Sequence, residues 1–300
     1  MSHSWPATGI AVVIALSPLF AAERGQALPT PIEYGQGRQL CSLAARDVDE
    51  SSGVASSRCT KGVFWTHNDS GDDPRIFAFN AEGNDLATFE LQGAINQDWE
   101  DMASFVVRGV PWLLVADIGD NAELRDQYTL YLLREPRVDP ARRKVRDKVR
   151  VDEAVDFRYE DGPHDCEAVG VDAASGLIIL VTKCALGNCK VFALGLPKER
   201  TREVLVAKAI GALRMPLVTA MDISPDGLRA LVLTYGNGVE FTRRPGETWA
   251  AAFARSPRGV DVLSRRQGEA VCYGFDGKTL YLTSEGKPCP FFEIPVVGGR

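Results

Sequence analysis

The chain has 300 residues, 45% of them hydrophobic and 25% charged, with a formal net charge of −6. That composition fits a folded globular protein with a large core and excludes a disordered one. The acidic balance argues against nucleic acid as a partner, because phosphate binding draws on an excess of Lys and Arg.

The first residues hold an apolar run from Ile10 to Ala22, too short to span a bilayer but of secretory h-region length. Gly25-Gln26-Ala27 then offers small residues for cleavage. The expectation is a signal peptide over 1–27 and one domain over 28–300. The mature chain would be a periplasmic or secreted monomer with no membrane span. All seven cysteines lie beyond this segment, and in an exported chain paired cysteines are expected as disulfides. Cys184 and Cys189 flank Ala-Leu-Gly-Asn, a short loop that suits a bridge, with Cys41–Cys59 and Cys272–Cys289 as weaker pairings. Cys166 is read as a small buried apolar residue.

From there the chain divides into units of four short strands. The first is expected at Gly53 to Ser56, Val63 to Thr66, Arg75 to Asn80 and Leu86 to Leu91. The second runs Met102 to Val107, Trp112 to Asp117, Tyr128 to Arg134 and Val151 to Tyr159. Between its last two strands lies a basic run, Arg142 to Arg150, read as a solvated loop and outer strand. The third unit is Ala168 to Val171, Leu177 to Thr182, Lys190 to Leu194 and Val204 to Ile210. The fourth shows Met221 to Ser224, Arg229 to Thr234 and Val239 to Arg243 without a clear outer strand, and the fifth shows Ala270 to Phe275, Thr279 to Thr283 and Phe291 to Val296. Strands rich in Val, Ile, Leu and aromatics, split by Asp-Gly, Glu-Gly and Asn-Gly, argue for an all-β fold.

Each unit opens on a related pattern. It reads Asp-Trp-Glu-Asp-Met-Ala at Asp98 to Ala103, Asp-Cys-Glu-Ala-Val-Gly at Asp165 to Gly170, Ala-Met-Asp-Ile-Ser at Ala220 to Ser224, and Gly-Glu-Ala-Val-Cys at Gly268 to Cys272. Ser-Ser-Gly-Val-Ala at Ser51 to Ala55 is an uncharged relative. Starts roughly 50 to 65 residues apart signal a propeller or solenoid array. The fifth unit is one strand short, and Gln39 to Ala45 supplies a spare strand at the other end; pairing the two removes an exposed edge. The fold expected is a five-bladed β-propeller, with six blades as second choice and a β-sandwich as the main alternative.

In a propeller the start of each innermost strand and the end of the next lie on one face. That gathers Glu100, Asp101, Asp165, Glu167, Asp222 and Glu269 with Asp69, Asp117, Lys183 and the histidines His67 and His164. Carboxylates that converge must take up protons or bind cations, and oxygen donors without thiolate or paired histidine spacing favour Ca²⁺. The expected metal set is Asp69, Glu100, Asp101, Asp117, Asp165, Glu167, Asp222 and Glu269. Acids that cap turns and bond strand-start amides are the competing reading.

The motifs Ser52 to Ala55, His67 to Asp72, Arg75 to Gly83, Asp-Trp-Glu-Asp-Met and Asp-Cys-Glu-Ala-Val resemble extracytoplasmic bacterial β-propellers of the phytase-like, esterase-like kind. That resemblance implies a propeller, Ca²⁺ near the channel and, in some relatives, ester or phosphoester hydrolysis. Lys183 and Lys287 are the bases at the mouth, fewer than phosphomonoester cleavage calls for. Two functions follow. The preferred one is a binding or scaffold module that takes a small-molecule or protein ligand at its acidic face. The alternative is a Ca²⁺-dependent hydrolase of a phosphoester, ester or lactone, with His67 or His164 as general base and Lys183 offsetting developing charge.

Overall fold

The computed structural model describes residues 26–142, 144–264 and 267–297. The expected signal segment up to residue 25, and Arg143 of the basic run, lie outside the described residues.

The fold is all-β, in four sheets. Strand β1 (Arg38–Ser42) is followed by β2 (Ser51–Ser56), β3 (Val63–Asn68), β4 (Arg75–Asn80) and β5 (Asp85–Gln92), which pair antiparallel in that order. Next come β6 (Trp99–Val107), β7 (Val110–Asp117) and β8 (Tyr128–Arg134). The chain then detours: β9 (Val145–Arg150) joins β5 in parallel, and β10 (Glu153–Tyr159) returns to pair with β8. The sequence β11 (Cys166–Asp172), β12 (Leu177–Thr182), β13 (Cys189–Gly195) and β14 (Leu205–Leu213) repeats the antiparallel pattern, and β14 meets β10 in parallel. These eight strands thus form one sheet, ordered β11-β12-β13-β14-β10-β8-β7-β6. Strands β15 (Val218–Ile223), β16 (Arg229–Thr234), β17 (Gly238–Thr242) and β18 (Arg258–Val260) make the next sheet, with helix α1 (Trp249–Phe253) before its last strand. Finally β19 (Ala270–Tyr273), β20 (Leu280–Thr283) and β21 (Pro290–Ile294) take β1 onto their edge, as the spare-strand argument expects.

Strands β2, β6, β11, β15 and β19 end their sheets and pack on one another in a circuit: β2 on β6, β6 on β11, β11 on β15, β15 on β19 and β19 on β2. Small residues make this approach possible. A Cβ on Gly170 would lie 2.8 Å from Ile223 Cγ1, and one on Gly53 would lie 2.9 Å from the Met102 amide nitrogen. Apolar clusters fill the spaces between successive strand groups, among them one that sets Trp65 and Phe89 against Trp99 and Leu113. Burial of such surface is the main stabilising term for a fold with so little helix.

As expected, the basic run gives an outer strand: the mostly exposed β9 lies at the edge of the sheet of β2 to β5, where its Lys148 pairs with Glu90 of β5 and Lys144, just before it, with Asp85. Two details depart from the sequence reading. The outer strand absent from the fourth unit is β18, a three-residue strand set off by α1. The expected disulfides are not formed, and all seven cysteines are free thiols. Cys184 and Cys189 do come together, with sulfurs 3.6 Å apart, whereas Cys41 contacts the Ala81 carbonyl and Cys59 the Glu135 carbonyl.

Helix α1 is too short to stand alone. Thr248 caps it by accepting from the Ala251 amide, and Trp249 anchors it by donating Nε1–H to Asp172 Oδ2 at 3.0 Å. Arg243 donates to the same oxygen at 2.5 Å and stacks over the Trp249 ring. Asp172→Asn is therefore expected to cost about 2 kcal/mol, because a charge-assisted acceptor serves two buried donors. A urea midpoint unchanged by this substitution would remove Asp172 from the anchoring of α1.

Candidate functional site

The inner strands share a local irregularity that builds the site. In β2, β6, β11 and β15 the pairing register skips one residue, at Ser52, Glu100, Glu167 and Thr219. A bulge of this kind frees its extra residue from the ladder and re-aims the side chain. Glu269, just before β19, stands in the same motif position as Glu167. All five are buried. The two hydroxyls tie neighbouring inner strands, Ser52 Oγ to the Glu100 carbonyl at 2.8 Å and Thr219 Oγ1 to the Gly268 carbonyl at 2.9 Å. The three glutamates supply carboxyls.

Loops at the same end bring further acids. Asp69 follows β3, Asp98 precedes β6, and an oxygen from each lies within 4.8 Å of the others and of one from Glu100. Gly119 closes over this trio: a Cβ there would sit 2.4 Å from Glu100 Oε1 and 2.5 Å from Asp98 Oδ2, so no larger residue fits the loop as placed. Asp165, Glu167, Glu269 and Glu285 extend the acidic group, and each exerts a charge effect on at least one other member.

Burial dominates the electrostatics. It pushes Asp98 up to about 6, helped by Asp69 and Asp165. It carries Glu100 well above the usual carboxylate range, helped by Glu167 and Asp69. Glu167 rises to about 7 through burial even though Lys183 pulls against it. Glu269 reaches about 9 through burial and a carboxyl pairing with Glu285. Burial likewise raises Asp69 and Asp165. Lys183 makes a close ion pair with Glu167 and lies 5.5 Å from the Tyr235 ring centre. The acids outnumber this cation, which is the condition under which carboxyls hold protons or a metal.

Of the expected site residues, Asp69, Glu100, Asp165, Glu167, Glu269 and Lys183 are brought together. The others serve the scaffold. Asp101, wholly buried, accepts from the amides of Met102 at 2.8 Å, Val169 at 2.9 Å and Met221 at 3.2 Å. Asp222 accepts from Ile223 and from Tyr273 on the next inner strand, both at 2.8 Å. Asp117 pairs with Arg125 at 2.8 Å and accepts from the Gln97 amide, which holds the loop carrying Asp98. His67 is wholly buried with Nδ1 2.9 Å from the Asn68 carbonyl and its ring edge-on to Trp99; burial lowers it to about 4, so it is neither charged nor accessible at neutral pH. His164 meets Asp161 at 2.8 Å and packs on Tyr159 and Phe192. Lys287 pairs with Asp49.

The expected metal set left out Asp98 and Glu285. Asp98 had a signal, since it stands two residues before Glu100 as Asp165 stands two before Glu167. Glu285 lies in Thr-Ser-Glu-Gly at the end of β20, where second strands deliver their last residues to the site. No protein-family model matches the chain, and no curated protein matches it.

Proposed function

We propose that the protein is an exported five-bladed β-propeller that binds Ca²⁺ at one mouth of its channel and uses that acidic end as a binding platform. The five inner strands packed in a circuit, each leading a group of strands, with β1 completing the last group, support the reading of five blades. The export reading rests on the sequence of residues 1–27. The observation that carries the function is the convergence of Asp69, Asp98 and Glu100, from two loops and a bulge, to within one ion's coordination reach. These donors are hard oxygens with no thiol or imidazole among them, and several carboxylates brought in from separate loops suit the larger coordination number of Ca²⁺ better than the strict octahedron of Mg²⁺. Ca²⁺ would neutralise the crowded acids and leave ligand positions for a partner's oxygens.

A platform fits better than a hydrolase, because His67 is wholly buried and His164 Nε2 is held by Asp161. Calorimetric titration tests the reading. Wild-type protein is expected to bind Ca²⁺ with a stoichiometry of one, and Asp98→Asn or Glu100→Gln to weaken binding by about tenfold or more, as loss of a charged ligand does. Affinity unchanged in both variants would overturn the assignment.

A further inference from the structure

At the opposite end of β6 from Glu100 lies a groove of about 760 Å³, between the turn after β6, the hairpin after β11 and the loop after β13. That volume is typical of a small-molecule site. Its walls are apolar, formed by Phe105, Trp112, Leu132, Leu196 and Pro225. Its rim carries four bases, Arg108, Arg134, Lys198 and Arg200, against three acids, Asp152, Glu153 and Glu199. Arg134 stacks near Trp112, 6.0 Å from the ring centre, and faces Asp152. Glu153 is taken up by the Thr201 amide at 2.8 Å. Among the described residues this leaves Arg108, Lys198 and Arg200 without ion-pair partners, against Glu199 and the amide-bonded Glu153.

Arg108 adds an independent observation. Val107 and Val110 pair across a two-residue turn in which Arg108 has φ 50° and Gly109 has φ 77°. That is the pattern of a type I′ turn, where Asn or Gly sits at the first position without strain. An arginine held in the left-handed region is a backbone cost, and such costs cluster where a side chain has a task.

We propose that this groove binds a small amphipathic carboxylate, an apolar chain or ring lying along Trp112 and Leu196 with its anionic head at Arg108, Lys198 and Arg200. The unpaired cations select the charge, and the apolar walls select the body. Decanoate, below its aggregation threshold, is the probe. Among the described tryptophans, Trp65, Trp99 and Trp249 are buried and Trp112 reaches solvent, so a change in fluorescence on binding reports on the groove.

Full-length protein is expected to respond saturably to decanoate and more weakly to decanol, which keeps the chain and lacks the charge. Arg108→Asn preserves the turn, so folding is not at issue, and should weaken decanoate by about tenfold while leaving decanol unchanged. Three results would overturn the proposal: no saturable response, decylamine binding as tightly as decanoate, or equal decanoate affinity in wild type and Arg108→Asn.

Discussion

Adding millimolar Ca²⁺ to EDTA-treated protein should raise its melting temperature by roughly 5 °C or more, and the rise should be larger at pH 8 than at pH 5. An ion at one hundred times its dissociation constant stabilises the native state by about 2.7 kcal/mol, and each kcal/mol is worth about 2–4 °C in a chain of this size class. The pH dependence comes from the raised acids. Asp98 at about 6, Glu167 at about 7 and Glu269 at about 9 hold protons in the folded state that the unfolded chain has already released. Their contribution to the metal-free protein is therefore present at low pH and lost as pH rises through those values. Ca²⁺ reverses the trend, because it binds the ionised carboxylates and takes over the role of the protons. Thermal scans across pH with and without Ca²⁺ read both effects. A metal-free protein whose melting point stays level from pH 5 to 8, together with no response to Ca²⁺, would remove the cation from the site.

Much of this arrangement was legible in the sequence, and the exceptions have physical causes. The limits of β4, β8, β12 and β16 match their expected ranges because turn signals bracket both ends of those mid-sheet strands. Four inner strands, β2, β6, β11 and β15, begin earlier than expected, while β19 starts at Ala270 as expected: β6 starts at Trp99 rather than Met102, since acids read as turn residues sit on a bulge where the chain stays extended. Helix α1 was invisible because five residues are too few for a helical period to register. The site's acids were visible as a recurring motif, but their division of labour was not. Glu100 and Asp101 are neighbours, yet one joins the acidic cluster and the other is enclosed among three strands. A bulge decides which, because its extra residue leaves the ladder and its side chain is re-aimed.

That division can be measured at Asp101. Its carboxylate is the shared acceptor for amides on β6, β11 and β15, and Asp222 continues the stitch from β15 to β19. Burial pushes its carboxyl well above the usual range, while the three amides pull against that. Asp101→Ala strands three buried N–H groups at about 1–3 kcal/mol each, less whatever is recovered by no longer burying a carboxyl, so a net loss of about 3 kcal/mol is expected. Asp101→Asn should lose less, since its amide oxygen can still accept from Val169 and Met221. Urea denaturation run in EDTA and again in Ca²⁺ separates the two roles this residue can have. A strand stitch costs the same in both conditions. A metal ligand would cost little in EDTA and show its full loss only with Ca²⁺ present, and that result would return Asp101 to the ion's coordination shell.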